Sequence, residues 1–108
     1  TGSIYEEKIA AFLKQNGFLI LERNYRCKQG EIDIIARDGR YLVFIEVKFR
    51  ATGSTGFSLE AIDHRKASRI RNAARYYLFS HRLSEETPCR FDAAGIDGET
   101  ITYIKNAF

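Results

Sequence analysis

Two acidic residues and a lysine stand in a pattern that can carry out chemistry on a phosphate ester. Asp33 precedes Glu46-Val47-Lys48 by a short interval. Side chains two positions apart on a strand point the same way, so Glu46 and Lys48 share a face. Two carboxylates suit Mg²⁺, and a lysine beside them can orient a water or stabilise developing negative charge. The pattern indicates a metal-assisted hydrolytic site; the alternative is a buried ion pair with no catalytic role.

A β-hairpin is predicted to bring these side chains together. The segments that contain Asp33 and Glu46 are both rich in β-branched residues, and Asp38-Gly39 between them is typical of a tight turn. With Asp38 and Gly39 as the two loop residues, Asp33 lies opposite Phe44 and diagonal to Glu46. Any loop of even length keeps Asp33 on the face of Glu46.

Further elements are predicted on both sides of this hairpin. They are helices over residues 4–15 and 63–82, and strands over 18–21, 89–96 and 100–105. Residues 24–30 are polar and are predicted to form a turn, while Asp63 is the predicted N-cap of the long helix. The order of elements indicates one α/β domain with a mixed sheet over residues 1–108.

The first predicted helix offers a third carboxylate. On a helical wheel Glu6 lies at the edge of the apolar stripe, whereas Glu7 points to solvent. Glu6 is therefore predicted to lean over the sheet toward the metal held by Asp33 and Glu46. The alternative for Glu6 is a first-turn acid that complements the helix dipole, a role predicted for Glu7 in any case.

Positive charge is concentrated in one segment. The chain has a net charge of +3, and residues 64–82 contain six Lys/Arg and no Asp/Glu. This distribution is typical of a surface that meets phosphate, and the alternative is a solvated basic helix. Lys66 and Arg69 in this segment are predicted nucleic-acid contacts. Arg50, which shares strand parity with Lys48, is a third. Glu31 remains open between an outer carboxylate of the site and a solvated strand-end acid.

Composition argues against several other classes of protein. Cys27 and Cys89 form no CxxC pair, so a disulfide scaffold or a zinc site is not expected. The apolar runs are too short to cross a bilayer and no leader peptide is recognisable, so a cytoplasmic location without membrane association is expected. The chain lacks methionine, which suggests that starting residues are missing or that it was cut from a longer protein.

Several motifs along the chain resemble one family. They are the glutamate-containing first helix, Arg23-Asn24-Tyr25-Arg26, Gly30-Glu31-Ile32-Asp33, Phe44-Ile45-Glu46-Val47-Lys48, the helix with Lys66, Arg90-Phe91-Asp92 and Asn106-Ala107-Phe108. Together they resemble the YraN family of uncharacterised bacterial proteins, which is similar to PD-(D/E)XK nucleases and, among these, to Holliday-junction resolvases. The resemblance implies a restriction-endonuclease-like core with Asp33 as motif aspartate, Glu46 as motif acid and Lys48 as motif lysine.

The residues and the resemblance together predict a Mg²⁺-dependent (or Mn²⁺-dependent) endonuclease. Asp33, Glu46 and Lys48 are the predicted catalytic residues, and Glu6, Asp33 and Glu46 the predicted metal ligands. The expected partner is nucleic acid, DNA more than RNA, with branched or repair intermediates as candidate substrates and a homodimer left open. The alternatives are a non-catalytic nucleic-acid-binding module that retains the fold, and a toxin nuclease domain excised from a longer protein.

Overall fold

The structure is a computed structural model that describes residues 2–50 and 63–108 of the chain. Within them the elements are α1 (Gly2–Gln15), β1 (Leu19–Cys27), β2 (Gly30–Asp38), β3 (Tyr41–Arg50), α2 (His64–Ser80), β4 (Cys89–Asp97) and β5 (Thr100–Ile104). The strands form one sheet in the order β1-β2-β3-β4-β5. Only β3 and β4 run parallel among the neighbouring strands described. The predicted α/β class with a mixed sheet is confirmed.

The central strand β3 divides its side chains between two cores. Val43 and Ile45 pack in the core beneath α1, whereas Leu42 and Phe44 pack in the core beneath α2. Because both faces are covered, β3 is a nearly continuous apolar run rather than an alternating one. Glu46 follows this apolar run directly and is itself buried. Neither described helix is long and apolar enough to cross a membrane.

The N-termini of the two helices differ. The Asp63 carboxylate accepts a hydrogen bond from the Lys66 amide at 2.9 Å, which confirms the predicted N-cap of α2. Helix α1 begins at Gly2, so its first turn contains no acid. The predicted helix-dipole role of Glu7 is therefore wrong. Glu7 is exposed, as expected, and its carboxylate accepts a 2.7 Å hydrogen bond from Arg23 of β1.

The turn between β2 and β3 differs from the predicted one. Asp38 pairs with Tyr41, so Gly39 and Arg40 form the loop, with Gly39 at a φ of 61° that suits glycine. Asp38 belongs to the strand, where its carboxylate accepts a 2.9 Å hydrogen bond from Arg90 of β4. This contact joins residues that lie far apart in the sequence, so the local turn pattern could not reveal it.

This change in the turn moves the register by two residues. Phe44 lies opposite Ile35 instead of Asp33. The regular pairing ends at Ile34 and Ile45, so Asp33 and Glu46 are the next residues on their strands. Because the shift is even, Asp33 keeps the predicted face. In the observed register, Asp33 lies closer to Glu46 than it would in the predicted diagonal arrangement.

Strand β1 is longer than predicted, because residues 24–27 continue the strand instead of starting a turn. The polar residues Arg23 and Arg26 obscure the pattern on this edge strand. Tyr25 nevertheless packs against Tyr77 of α2, with ring centroids 5.3 Å apart. Within this strand the backbone of Asn24 has a φ of 54°, which is uncommon for a residue other than glycine.

A buried polar network fastens β4 to its neighbours. The fully buried Asp92 carboxylate accepts hydrogen bonds from the Arg90 guanidinium at 3.0 Å, the Tyr103 hydroxyl at 2.6 Å and the Asn106 amide at 3.0 Å. Burial and the bond to Asp92 raise the pKa of Tyr103 above its ordinary value. These contacts give Arg90 and Asp92 the structural role that a buried, fully bonded pair is expected to have.

Candidate active site

Asp33 lies where β2 separates from β3. Ile32 packs in the core beneath α2, but Ile34 packs in the core beneath α1. Residues two apart on a regular strand share a face, so the strand must twist at Asp33. The Asp33 side chain turns toward β3, where its carboxylate accepts a 2.8 Å hydrogen bond from the Val47 amide. The Asp33 carboxylate thus accepts a hydrogen bond from β3 at the point where the regular backbone pairing between β2 and β3 has ended.

Glu46 is buried on the α2 side of the sheet. Only 5% of its surface is exposed, and its carboxylate forms an ion pair with the Lys66 ammonium. Lys66 reaches the sheet because the Asp63 cap starts α2 at a fixed point, and because Lys66 lies one turn before the buried Ile70. A buried carboxylate needs such a partner to remain charged.

The carboxyl groups of Asp33 and Glu46 interact directly. Burial, the negative charge of Glu46 and a hydrogen bond between the two carboxyl groups raise the pKa of Asp33 to about 6. The Val47 amide and the positive charge of Lys66 oppose this shift. The two carboxyl groups therefore retain a proton at a pH where two separate ones would have lost it. A divalent cation can relieve the same repulsion by replacing that proton.

A cavity of about 340 Å³ opens onto this pair from the α2 side. Its lining includes Gly30, Glu31, Asp33, Glu46, Lys66 and Arg69. A Cβ atom at Gly30 would lie 3.3 Å from the Arg69 carbonyl oxygen, so glycine lets the β1–β2 turn pack closely against α2. Glu31 is exposed at the rim, and its carboxylate lies 3.8 Å from the Arg26 guanidinium. Glu31 is therefore a solvated rim acid in this structure.

A second, smaller cavity of about 70 Å³ reaches Asp33 from the α1 side. Glu6, Arg23, Asn24 and Val47 line it together with Asp33. The half-buried Glu6 thus lies on the predicted side of its helix and borders the same aspartate. However, no three acidic, histidine or cysteine side chains in residues 2–50 and 63–108 stand close enough to hold a metal ion together. The metal-binding role of Glu6 stays a prediction.

Lys48 lies further along β3 than the carboxyl pair. It is half-buried, its backbone neighbour on β4 is Gly95, and it lines neither cavity. Among the described side chains, it is Lys66 and not Lys48 that pairs with Glu46. Asp33, Glu46 and Lys48 were predicted to form one site. The structure brings the side chains of Asp33 and Glu46 together, but Lys48 lines neither cavity. Two residues along a strand span about 7 Å, which separates the Lys48 backbone from the pair.

The three predicted nucleic-acid contacts, Arg50, Lys66 and Arg69, lie in different surroundings. Lys66 belongs to the carboxyl pair, whereas Arg69 is exposed at the rim of the larger cavity. Arg50 ends β3, and its side chain lies outside the described part of the chain. From its position in the basic segment, Lys66 was predicted to contact phosphate. Its spacing from Asp63 and Ile70 was the signal that it faces the sheet.

These features define an α/β domain compatible with a restriction-endonuclease-like core, with a carboxyl pair at the point where two central strands separate. Residues 5–96 match the family described as "Uncharacterised protein family UPF0102". The chain belongs to the UPF0102 family, which confirms the resemblance to YraN proteins.

Several bacterial relatives are similar over almost their whole length. A UPF0102 protein of Lachnoclostridium phytofermentans is 52% identical over 107 residues, covering 99% of this chain and 91% of the relative. A UPF0102 protein of Legionella pneumophila is 41% identical over 109 residues, covering 99% and 92%. One of Fusobacterium nucleatum is 42% identical over 105 residues, covering 97% and 87%. These matches support one family fold across the chain.

Proposed function

We propose that this protein is a divalent-metal-dependent endonuclease that hydrolyses phosphodiester bonds of nucleic acid, DNA in preference to RNA. The observation that carries the proposal is the carboxyl pair of Asp33 and Glu46. The two groups lie together in a cavity open to solvent, and burial together with the interaction with Glu46 raises the pKa of Asp33 to about 6. Perturbed carboxyl groups at the mouth of a cleft are typical of catalytic and metal-binding sites.

The donor set fits Mg²⁺ or Mn²⁺. Asp33 and Glu46 supply only oxygen ligands, and Mg²⁺ is commonly held by one or two carboxylates together with waters and substrate phosphate. Asp33 and Glu46 would hold the ion, with Glu6 approaching Asp33 from the α1 side. When bound, such an ion lowers the pKa of a coordinated water and neutralises charge that develops on phosphorus.

The other side chains of the site have distinct tasks in this proposal. The Val47 amide fixes the orientation of the Asp33 carboxylate. The Lys66 ammonium forms an ion pair with the buried Glu46 and holds its side chain in position before substrate arrives. Arg69, exposed at the rim, contacts a backbone phosphate of the substrate and positions it over the pair. Lys48 takes the role implied by the family resemblance, orienting the attacking water or stabilising the phosphate in the transition state.

A comparison of two charge-neutralising variants tests the proposal. Glu46→Gln removes a charge from the carboxyl pair, and Glu31→Gln removes the same charge from the rim of the same cavity. Cleavage of duplex, single-stranded and branched DNA and RNA is measured in Mg²⁺ or Mn²⁺. Glu46→Gln is expected to reduce cleavage by orders of magnitude, since it removes a metal ligand. Glu31→Gln is expected to retain cleavage within a few-fold of the wild type.

A second candidate is a nucleic-acid-binding module that has the fold without turnover. The ion pair between Lys66 and Glu46 favours it, because Glu46 already has a cationic partner without a metal. In that case the wild-type protein binds nucleic acid but cuts none of the substrates in either metal. Glu46→Gln would then leave binding in EDTA unchanged or slightly tighter, because it removes a charge that repels phosphate.

A further inference from the structure

Two aromatic side chains on α2 remain exposed to solvent. Phe79 is 77% exposed and Tyr76 is 42% exposed, and their ring centroids lie 6.3 Å apart. The buried face of α2 is formed by other residues, among them Tyr77 and Leu78. Tyr76 and Phe79 therefore add little to the core. Adjacent exposed aromatic rings are a common feature of binding surfaces.

These rings line an open groove of about 970 Å³. Its lining includes Gln29, Arg75, Tyr76, Phe79, Arg82 and Glu85. Arg75 donates a 2.9 Å hydrogen bond to the Asn72 side chain. Within residues 2–50 and 63–108, neither Arg75 nor Arg82 forms an ion pair with a carboxylate. The groove thus combines aromatic faces with two unneutralised guanidinium groups and a single acid among the residues named.

The groove is continuous with the candidate active site along α2. Arg69, Asn72, Tyr76 and Phe79 are spaced three or four residues apart, so they form one stripe along the helix. Arg69 borders the active-site cavity, and Phe79 borders the groove. The ten helical steps from Arg69 to Phe79 span about 15 Å.

We propose that this groove, hereafter the aromatic groove, binds an unpaired nucleic-acid strand next to the active site. Tyr76 and Phe79 stack on bases, and Arg75 and Arg82 contact phosphates. In a blunt duplex the base faces are already stacked on one another, so only an unpaired strand can use both kinds of contact. The preferred substrate therefore has a single-stranded segment beside the point of cleavage. The cleavage part of this proposal rests on the proposed nuclease function, whereas the binding part does not.

Strand binding without cleavage tests the aromatic groove itself. Fluorescence anisotropy in EDTA measures binding of a labelled single strand and of a blunt duplex of the same length. Tyr76→Ala/Phe79→Ala is expected to weaken single-strand binding at least tenfold, because one stacked base contributes about 1–3 kcal/mol, or about 5- to 150-fold. Duplex binding should change less than about twofold. Leu19→Ala, a control at an exposed apolar residue of β1, should change neither.

Three outcomes would overturn the aromatic groove. They are an equal loss of single-strand and duplex binding, no loss of either, or a wild-type dimer in sedimentation that Phe79→Ala dissociates while single-strand affinity is unchanged. The last result would make the groove an interface between two copies of the chain. Retained circular dichroism verifies that the double variant is folded, and Phe79→Trp should preserve single-strand binding.

Cleavage of overhang and blunt substrates separates this proposal from the nuclease proposal. If the wild type cuts both, Tyr76→Ala/Phe79→Ala should remove the preference for the overhang and retain cleavage of the blunt duplex. If the wild type cuts nothing but loses single-strand binding with the same double variant, the aromatic groove stands and the nuclease proposal fails. If it cuts with an overhang preference that the double variant keeps, the nuclease proposal stands and the aromatic groove fails.

Discussion

Two sets of acids in the sheet differ in how many hydrogen-bonding and charged partners they have: the buried Asp92, and the pair formed by the half-buried Asp33 and the buried Glu46. Asp92 in β4 accepts hydrogen bonds from Arg90, Tyr103 and the Asn106 amide, so a cation, a hydroxyl and an amide surround one carboxylate. Among residues 2–50 and 63–108, the pair of Asp33 and Glu46 has one ammonium and one amide as partners for two carboxyl groups.

This contrast separates an acid that stabilises the fold from acids that a ligand can reach. Asp92 is closed off from solvent, whereas Asp33 is reached from cavities on both sides of the sheet. A fully bonded buried carboxylate stabilises the fold, and a repelling pair at a cavity lowers stability until a ligand arrives. The carboxyl pair is therefore the place where stability and function are expected to oppose each other.

The largest expected effect belongs to Asp92. Asp92→Ala leaves the buried Arg90 without its main partner and frees the hydroxyl of Tyr103. Breaking a buried ion pair from one side costs about 3–5 kcal/mol of the free energy of unfolding. Denaturant unfolding measures this loss, with Asp97→Ala at the end of the same strand as the control. A loss below about 1 kcal/mol for Asp92→Ala would contradict its structural role.

Asp33→Asn is expected to raise the free energy of unfolding, whereas Asp92→Ala lowers it. The pKa of Asp33 is about 6 in the folded protein against an ordinary value of 3.8, so folding favours its protonated form. The protein therefore loses stability as the pH rises from about 4 through 6, and the full loss is present above that range. Asparagine removes the charge and can still accept the hydrogen bond from the Val47 amide.

At pH 8 we expect Asp33→Asn to raise the free energy of unfolding by about 1–3 kcal/mol, from about 1.4 kcal/mol per unit of pKa shift. At pH 3.5 the wild type and the variant should differ little, because Asp33 is then protonated in the folded protein. Denaturant unfolding at both pH values measures the two differences. An equal change at both values would show that charge repulsion is not its cause.

The smallest expected effect separates Arg69 from Lys66. Arg69 is exposed at the rim, so Arg69→Ala should reduce the slope of log affinity for nucleic acid against log salt by about 0.7–0.9, the value for one phosphate contact. Lys66 is already paired with Glu46, so Lys66→Ala should change the slope less and stability more. Binding titrations at several salt concentrations measure both slopes. Equal slope changes would place Lys66 on phosphate, as the sequence first suggested.

Local signals in the sequence predicted much of the fold and the acidic part of the site. The Asp63 cap, the apolar stripe of the first helix and the β-branched segment around Asp33 depend on near neighbours, and these predictions are confirmed. The side on which Asp33 meets Glu46 followed from strand parity, which survives any even error in register.

The predictions that failed depend on contacts between distant residues. The turn after β2 was misplaced because Arg90 holds Asp38 in the strand from 52 positions away. The end of β1 was not predicted because Tyr25 packs against Tyr77 of α2, a residue far away in the sequence. The polar neighbours of Tyr25 in the sequence give no sign of this contact. The ion pair of Lys66 with Glu46 was not predicted, because nothing near Lys66 in the sequence shows that Glu46 lies across from it. The phosphate contact of Lys66 stays a prediction.

Manganese binding in the absence of nucleic acid tests whether Asp33 and Glu46 form a cation site. Isothermal titration at pH 8 is carried out on the wild type, Asp33→Asn, Glu46→Gln and the rim control Glu31→Gln. We expect weak binding of Mn²⁺ by the wild type and by Glu31→Gln, and none by the other two variants. Wild-type binding should weaken from pH 8 to pH 5, because Asp33, with a pKa of about 6, must lose its proton. Equal binding by Asp33→Asn and the wild type would contradict the account.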